Sequence, residues 1–136
     1  MQYEVKSPIL GFENVVQVEF EKIDDVFCRI SALDGSMGLI LINPYALLKE
    51  YNFSIPTATE LMLDLKQSDK IEVYCVLVVQ SPIEDSQVSF LSPIVFNPSK
   101  KYIAQVVLNL KDYPSFGITK PIKEFLPKEL LESLRP

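Results

Sequence analysis

A chain of 136 residues, 48% hydrophobic and 23% charged, has the balance of one globular domain and excludes a disordered chain. Its formal net charge of −5 disfavours direct contact with nucleic-acid phosphates and suits a basic protein partner. Two distant cysteines, Cys28 and Cys75, exclude a disulfide framework and read as buried thiols.

The chain opens on "YEVKSPIL", which reads as an edge strand because Pro8 limits its pairing. "NVVQVEFEKI" alternates and is expected to place Val16, Val18 and Phe20 on one face. "FCRISALD" follows as a strand, and "LDGSMGLILIN" reads as a turn at Asp34-Gly35 leading into another. After Asn43, "NPYALLKEY" predicts one or two helical turns with Pro44 at the first helical position. "IPTATELMLDLK" carries Thr57 ahead of Glu60, a capping-box spacing. "IEVYCVLVVQ" is a nearly continuous apolar run, the mark of a central strand. "VSFLSPIVFN" and "YIAQVVLNL" predict a hairpin around "PSKK". At the end, "PIKEFLPKELLESLR" sets Leu126, Leu130, Leu131 and Leu134 at helical spacing. Seven or so short strands and little helix predict a mostly β fold, a small antiparallel β-barrel-like single domain with short helices and a C-terminal helix.

Chemistry is scarce. The chain has no histidine, which removes Ser–His and Cys–His pairs and the commonest metal ligand. No zinc ligand set and no phosphate-binding glycine loop appear. The acidic groups Glu21, Asp24 and Asp25, and Glu84 with Asp85, fall between strands and read as solvated turn residues. Used chemically, they would make the chain a small β-barrel enzyme or ligand-binding domain; that is the alternative reading. Aromatic residues are not interleaved with cations, so no single-stranded nucleic-acid groove is indicated. No metal or cofactor is expected. "MQYEVKSPIL" lacks a signal's apolar stretch, and no run nears the roughly 18 apolar residues of a membrane span. A cytoplasmic, non-membrane protein working by surface contact is the expectation.

Four stretches resemble the bacterial flagellar assembly factor FliW family. They are "SPILGFEN" through Gly11, Phe12 and Glu13, and "LILINPYALLKEYNFSIP" through Asn43, Pro44 and Tyr51. "SFLSPIVFNPSKKYIAQVVLN" matches through Pro93, Ile94, Asn97, Gln105, Val106 and Leu108, and "KIEVYCVLVV" stands in place of a family strand. Ser89 stands where the family commonly carries Asn. The resemblance covers about residues 5–110 and implies a β-barrel-like domain, taken as residues 1–110; residues 111–136 depart from the family as a C-terminal helical extension past its usual end, expected to pack on the same domain. The resemblance also implies a non-enzymatic, monomeric regulator that binds flagellin and the RNA-binding translational repressor CsrA, with no direct nucleic-acid contact.

Candidate contact residues are Phe12, Asn43, Pro44, Tyr45, Pro93 and Asn97. Asn43 and Pro44 equally suit a helix cap. Pro93 in mid-strand implies a sheet edge or a bulge, and Phe12 is either core or an exposed anchor.

Overall fold

The computed structural model describes residues 1–118 and 120–126. Eight strands form: β1 Gln2–Ser7, β2 Gln17–Lys22, β3 Phe27–Ala32, β4 Gly38–Ile42, β5 Glu72–Val78, β6 Gln87–Val88, β7 Ile94–Asn97 and β8 Tyr102–Gln105. One short helix, α1, spans Thr57–Met62. Single 3₁₀ turns cover Pro44–Ala46, Ile83–Asp85, Pro114–Phe116 and Ile122–Glu124. Strand order β4-β3-β2-β1-β8-β7-β5 closes on itself where Leu41 and Ile42 of β4 meet Val76 and Cys75 of β5. The result is a seven-stranded barrel, with β6 added beside the end of β5. Closure removes the free edges that a short sheet would present.

The barrel interior is filled. Tyr3, Phe20, Tyr74 and Phe96 project inward from β1, β2, β5 and β7 with ring centroids 5.2–5.9 Å apart. All but the tilted Phe20–Tyr74 pair are edge-to-face, and such pairs add about 0.5–1.5 kcal/mol each beyond their burial. Ile30, Leu41 and Ile103 pack with them. A second core lies outside one wall. Val73, Cys75, Val95 and Ala104 face out of β5, β7 and β8 onto Tyr51, Leu63, Phe90, Phe116, Ile122 and Leu126. These three strands are therefore buried on both faces, which is why "VYCVLV" and "IVF" are continuously apolar rather than alternating.

The hairpin turns follow local chemistry. In the β3–β4 turn, Gly35 takes φ 81° and the Asp34 carboxylate accepts from the Ser36 N–H at 2.9 Å; the Ser36 side chain, and with it this N–H, holds the Asp34 pKa below the usual range. The β7–β8 hairpin turns over residues 98–101, with the Lys101 N–H bonded to the Asn97 carbonyl at 2.9 Å.

Several expectations are corrected. β1 is not an edge: it pairs antiparallel with β2 and parallel with β8, and Pro8 falls just past its end, where the missing N–H costs no ladder bond. Val16 does not join the inward face, because β2 begins at Gln17 and Val16 stays exposed. Pro93 precedes β7, which lies between β5 and β8; the proline needs neither an edge nor a bulge because it stands outside the strand. Thr57 is the first helical residue rather than the cap; the Pro56 carbonyl instead accepts from Thr59 and Glu60. Of the C-terminal segment, Leu126 is buried in the outer core, while Leu130, Leu131 and Leu134 lie outside the described residues.

Burial also settles the thiols. Cys28 faces the barrel interior and Cys75 the outer core, each about 1% exposed or less. Desolvation pushes both pKa values up to about 12. Near pH 8 the thiolate fraction is then roughly a thousandfold below that of a thiol of pKa near 9, and the thiolate is the reactive form. Native protein is expected to resist Ellman's reagent at pH 8 and to release two equivalents once unfolded in urea. Rapid native labelling would contradict the burial.

Candidate binding surfaces at the two barrel ends

Strand register divides the candidate residues between opposite ends of the barrel. At one end, here the upper, Ile94 stands beside Gln105 and Ser31 beside Gly38. The loops after β1, between β3 and β4, and before β7 gather there, carrying Phe12 and Pro93. At the lower end Asn97 stands beside Tyr102, Glu72 beside Phe96 and Phe27 beside Ile42. Asn43, Pro44, Tyr45 and Asn97 belong to that end.

The upper end is built on a tight turn. The Phe12 N–H donates to the Ile9 carbonyl at 2.8 Å, and Gly11 at φ 86° supplies the left-handed residue this turn requires. Phe12 is half-buried against the inner core. Gln105 is the clasp. Its Oε1 accepts the Leu10 N–H at 2.8 Å and its Nε2 donates to the Ser92 carbonyl at 3.0 Å. One side chain thus ties the Leu10–Phe12 turn to the segment holding Pro93. The clasp leaves Leu10 exposed, and Val16 and Leu33 are exposed too. Asn14, Val16, Leu33 and Asp34 border a shallow recess of about 160 Å³. Gln105→Ala removes both bonds and leaves the Ser92 carbonyl short of a donor. An unfolding cost of about 1–3 kcal/mol is expected, with amide exchange accelerated at Leu10. Unchanged exchange there would show that the clasp does not hold the turn.

At the lower end the Asn43 side chain accepts from the Tyr45 N–H at 3.0 Å, with Pro44 opening the 3₁₀ turn. Pro44 is buried and Tyr45 stands 42% exposed. Lys22, Asp25, Asn43, Tyr45, Glu72 and Tyr74 border an open cleft of about 340 Å³. Asn97 is fully buried; its Nδ2 donates to the Leu63 carbonyl at 2.8 Å and anchors the end of α1. Pro93 and Asn97 thus act on their surfaces by holding them in place.

The acidic groups flagged in the sequence are partly structural. The Asp24 carboxylate accepts from Val26 and Phe27 N–H groups at 2.8 Å each, and Asp85 pairs with Lys123 at 2.9 Å. Asp25 alone of the flagged carboxylates borders the lower cleft. The cleft was not legible in the sequence, because Glu72 and Asp25 meet only through barrel closure. Gln105 carried a signal: it is the lone polar residue in "YIAQVV". Among the described residues no helix is long and apolar enough to cross a membrane.

These features define a small β-barrel with a filled interior and with its recesses outside, at the two ends and along the segments that cover the wall. The sequence matches the family described as FliW protein over residues 1–121. It is 50% identical to flagellar assembly factor FliW 2 of Helicobacter hepaticus, covering 98% of this chain and 99% of that one. It is 48% identical to flagellar assembly factor FliW 1 of Helicobacter pylori strain HPAG1, covering 95% and 97%. A crystal structure of the flagellar assembly factor FliW superposes with a TM-score of 0.76 at 21% identity, over 93% of this chain and 87% of that one; the barrel fold is shared. The chain belongs to the FliW family of flagellar assembly factors.

Proposed function

We propose that the protein is a non-enzymatic, cytoplasmic flagellar assembly factor that binds flagellin and, when free of flagellin, binds and antagonises the translational repressor CsrA. The observation that carries this reading is identity of about half over nearly the whole chain with relatives named as assembly factors. Physical features agree with it. The interior is occupied by side chains, so the room for partners lies at the surface. A net charge of −5 favours encounter with a basic RNA-binding protein. While flagellin accumulates it occupies the factor, and CsrA stays free to repress. Once flagellin is exported, the freed factor takes up CsrA and repression ends. Residues 1–110 form the binding domain, and the segment from residue 111 packs onto it through Phe116, Ile122 and Leu126. Monomeric protein is sufficient for this circuit.

The test uses purified components. Immobilised protein is expected to retain flagellin and CsrA separately, and added flagellin is expected to displace CsrA. Capture of neither partner would remove the reading.

A further inference from the structure

The lower cleft holds an unusual set of polar groups. Tyr74 is 92% buried by its 8% exposure, and its ring packs inside the barrel. Its hydroxyl makes no hydrogen bond to another described residue and is not itself sealed from solvent. Tyr74 borders the cleft, so that oxygen is open to a ligand there. Burial, with the nearby charge of Glu72, raises its pKa, so it stays a neutral phenol. Burial, and after it the Glu72 charge, likewise raises Tyr3 and Cys28, both facing the interior. Glu72 itself borders the cleft at this end of the barrel.

Neither Glu72 nor Asp25 has an ion-pair partner among the described residues. Lys22 is the cation bordering the cleft. Tyr45, its ring edge-to-face with Tyr51, and Ile71 are both part-exposed and also border the cleft. The borders thus offer two carboxylates outside any ion pair among the described residues, a phenol oxygen and a partly exposed aromatic ring. Their common complement is a planar group that donates hydrogen bonds, accepts none, carries positive charge and stacks on a ring. A guanidinium has all four properties.

We propose that this cleft seats an arginine side chain of a basic protein partner, its guanidinium held by Asp25, Glu72 and the Tyr74 hydroxyl and its plane against Tyr45. The assignment to a protein partner rests on the function proposed above. The assignment of an arginine seat rests on the cleft alone. Lys22 opposes the ligand and limits its affinity, which gives the site a second, opposite handle.

The test has two arms. In the first, the wild-type protein is titrated with a capped Ala-Arg-Ala tripeptide and with its neutral citrulline counterpart, followed by amide NMR shifts. Saturable shifts confined to residues 22–25, 43–45 and 71–74 are expected from the arginine peptide alone. The double variant Asp25→Asn/Glu72→Gln is expected to abolish them, and Lys22→Ala to strengthen them. Absence of saturable shifts, or equal shifts with citrulline, would overturn the seat whatever the protein's partners are. The second arm measures affinity for CsrA. The double variant is expected to bind about tenfold or more weakly, with an unchanged melting temperature, and Tyr74→Phe to weaken binding while keeping the buried ring. Equal affinity of wild type and double variant would overturn the cleft as the docking point and leave the partner assignment standing. Failure of wild type to bind CsrA would remove that assignment, and the first arm would still decide the seat.

Discussion

Tyr51→Ala is expected to lower the unfolding free energy by about 3–5 kcal/mol, and Tyr51→Phe by about 1–3 kcal/mol. Tyr51 is fully buried in the outer core. Its ring meets those of Tyr45, Phe53, Phe90 and Phe116, with centroids between 4.6 and 5.9 Å. These neighbours come from three segments of the wall covering the barrel, the β4–α1 connection and those holding Phe90 and Phe116, so no single element can collapse into the space an alanine would leave. The hydroxyl donates to the Phe90 carbonyl and accepts from the Cys75 thiol at 3.5 Å. Phenylalanine keeps the ring and removes the donor, leaving the Phe90 carbonyl buried without its partner. Urea denaturation followed by far-UV circular dichroism reads both costs. A cost near zero for Tyr51→Phe would show that the carbonyl finds another donor. Because Tyr51 joins the barrel wall to the segments behind both ends, the alanine variant is also expected to weaken partner capture out of proportion to its distance from either surface.

What the sequence revealed divides along the range of the forces involved. The Asn43–Pro44 cap, the Asp34–Gly35 turn and the β7–β8 hairpin depend on neighbours in the chain, and each formed where it was expected. The continuous apolar runs of β5 and β7 marked strands covered on both faces, a property that one residue's burial on each side is enough to write into the pattern. Long-range pairing left no such trace. Nothing in "YEVKS" announces that β1 lies parallel to β8, and Pro8 suggested an edge that closure abolishes. Val16 carried the alternation one residue ahead of the start of its strand. The same limit hid the lower cleft. Asp25 lies in a turn and Glu72 begins a strand, and only pairing of β4 with both β3 and β5 sets their segments side by side. Asn97 was legible as a resemblance, but its burial shows that it works from beneath the surface.

Asn97→Asp is expected to be among the most disruptive isosteric changes in the chain, and its cost should depend on pH. Asn97 is fully buried. Its Nδ2 donates to the Leu63 carbonyl at 2.8 Å and approaches Asp69 Oδ2 at 3.4 Å, while its Oδ1 is buried without a partner among the described residues. The substitution keeps the shape, removes the one donor and adds a charge facing two acceptors. Ionised, the introduced carboxyl meets desolvation and repulsion together, so its pKa in the folded state rises above the unfolded value of about 3.9. A raised folded pKa gives a contribution that is present below the unfolded value and lost as pH rises through the folded one. At pH 7 the cost is expected to be about 3–5 kcal/mol, the range for an uncompensated buried charge. Near pH 4 the protonated acid can again donate to the Leu63 carbonyl, and most of the cost should vanish. Asn97→Ala separates the causes: it removes the donor without adding charge, so its cost of about 1–3 kcal/mol should stay flat with pH. Urea midpoints of the three proteins between pH 4 and pH 8, with the wild-type curve subtracted, read the difference. A flat curve for Asn97→Asp would mean that the charge reaches water by local opening of the α1 end, and that Asn97 anchors it less firmly than its hydrogen bond implies.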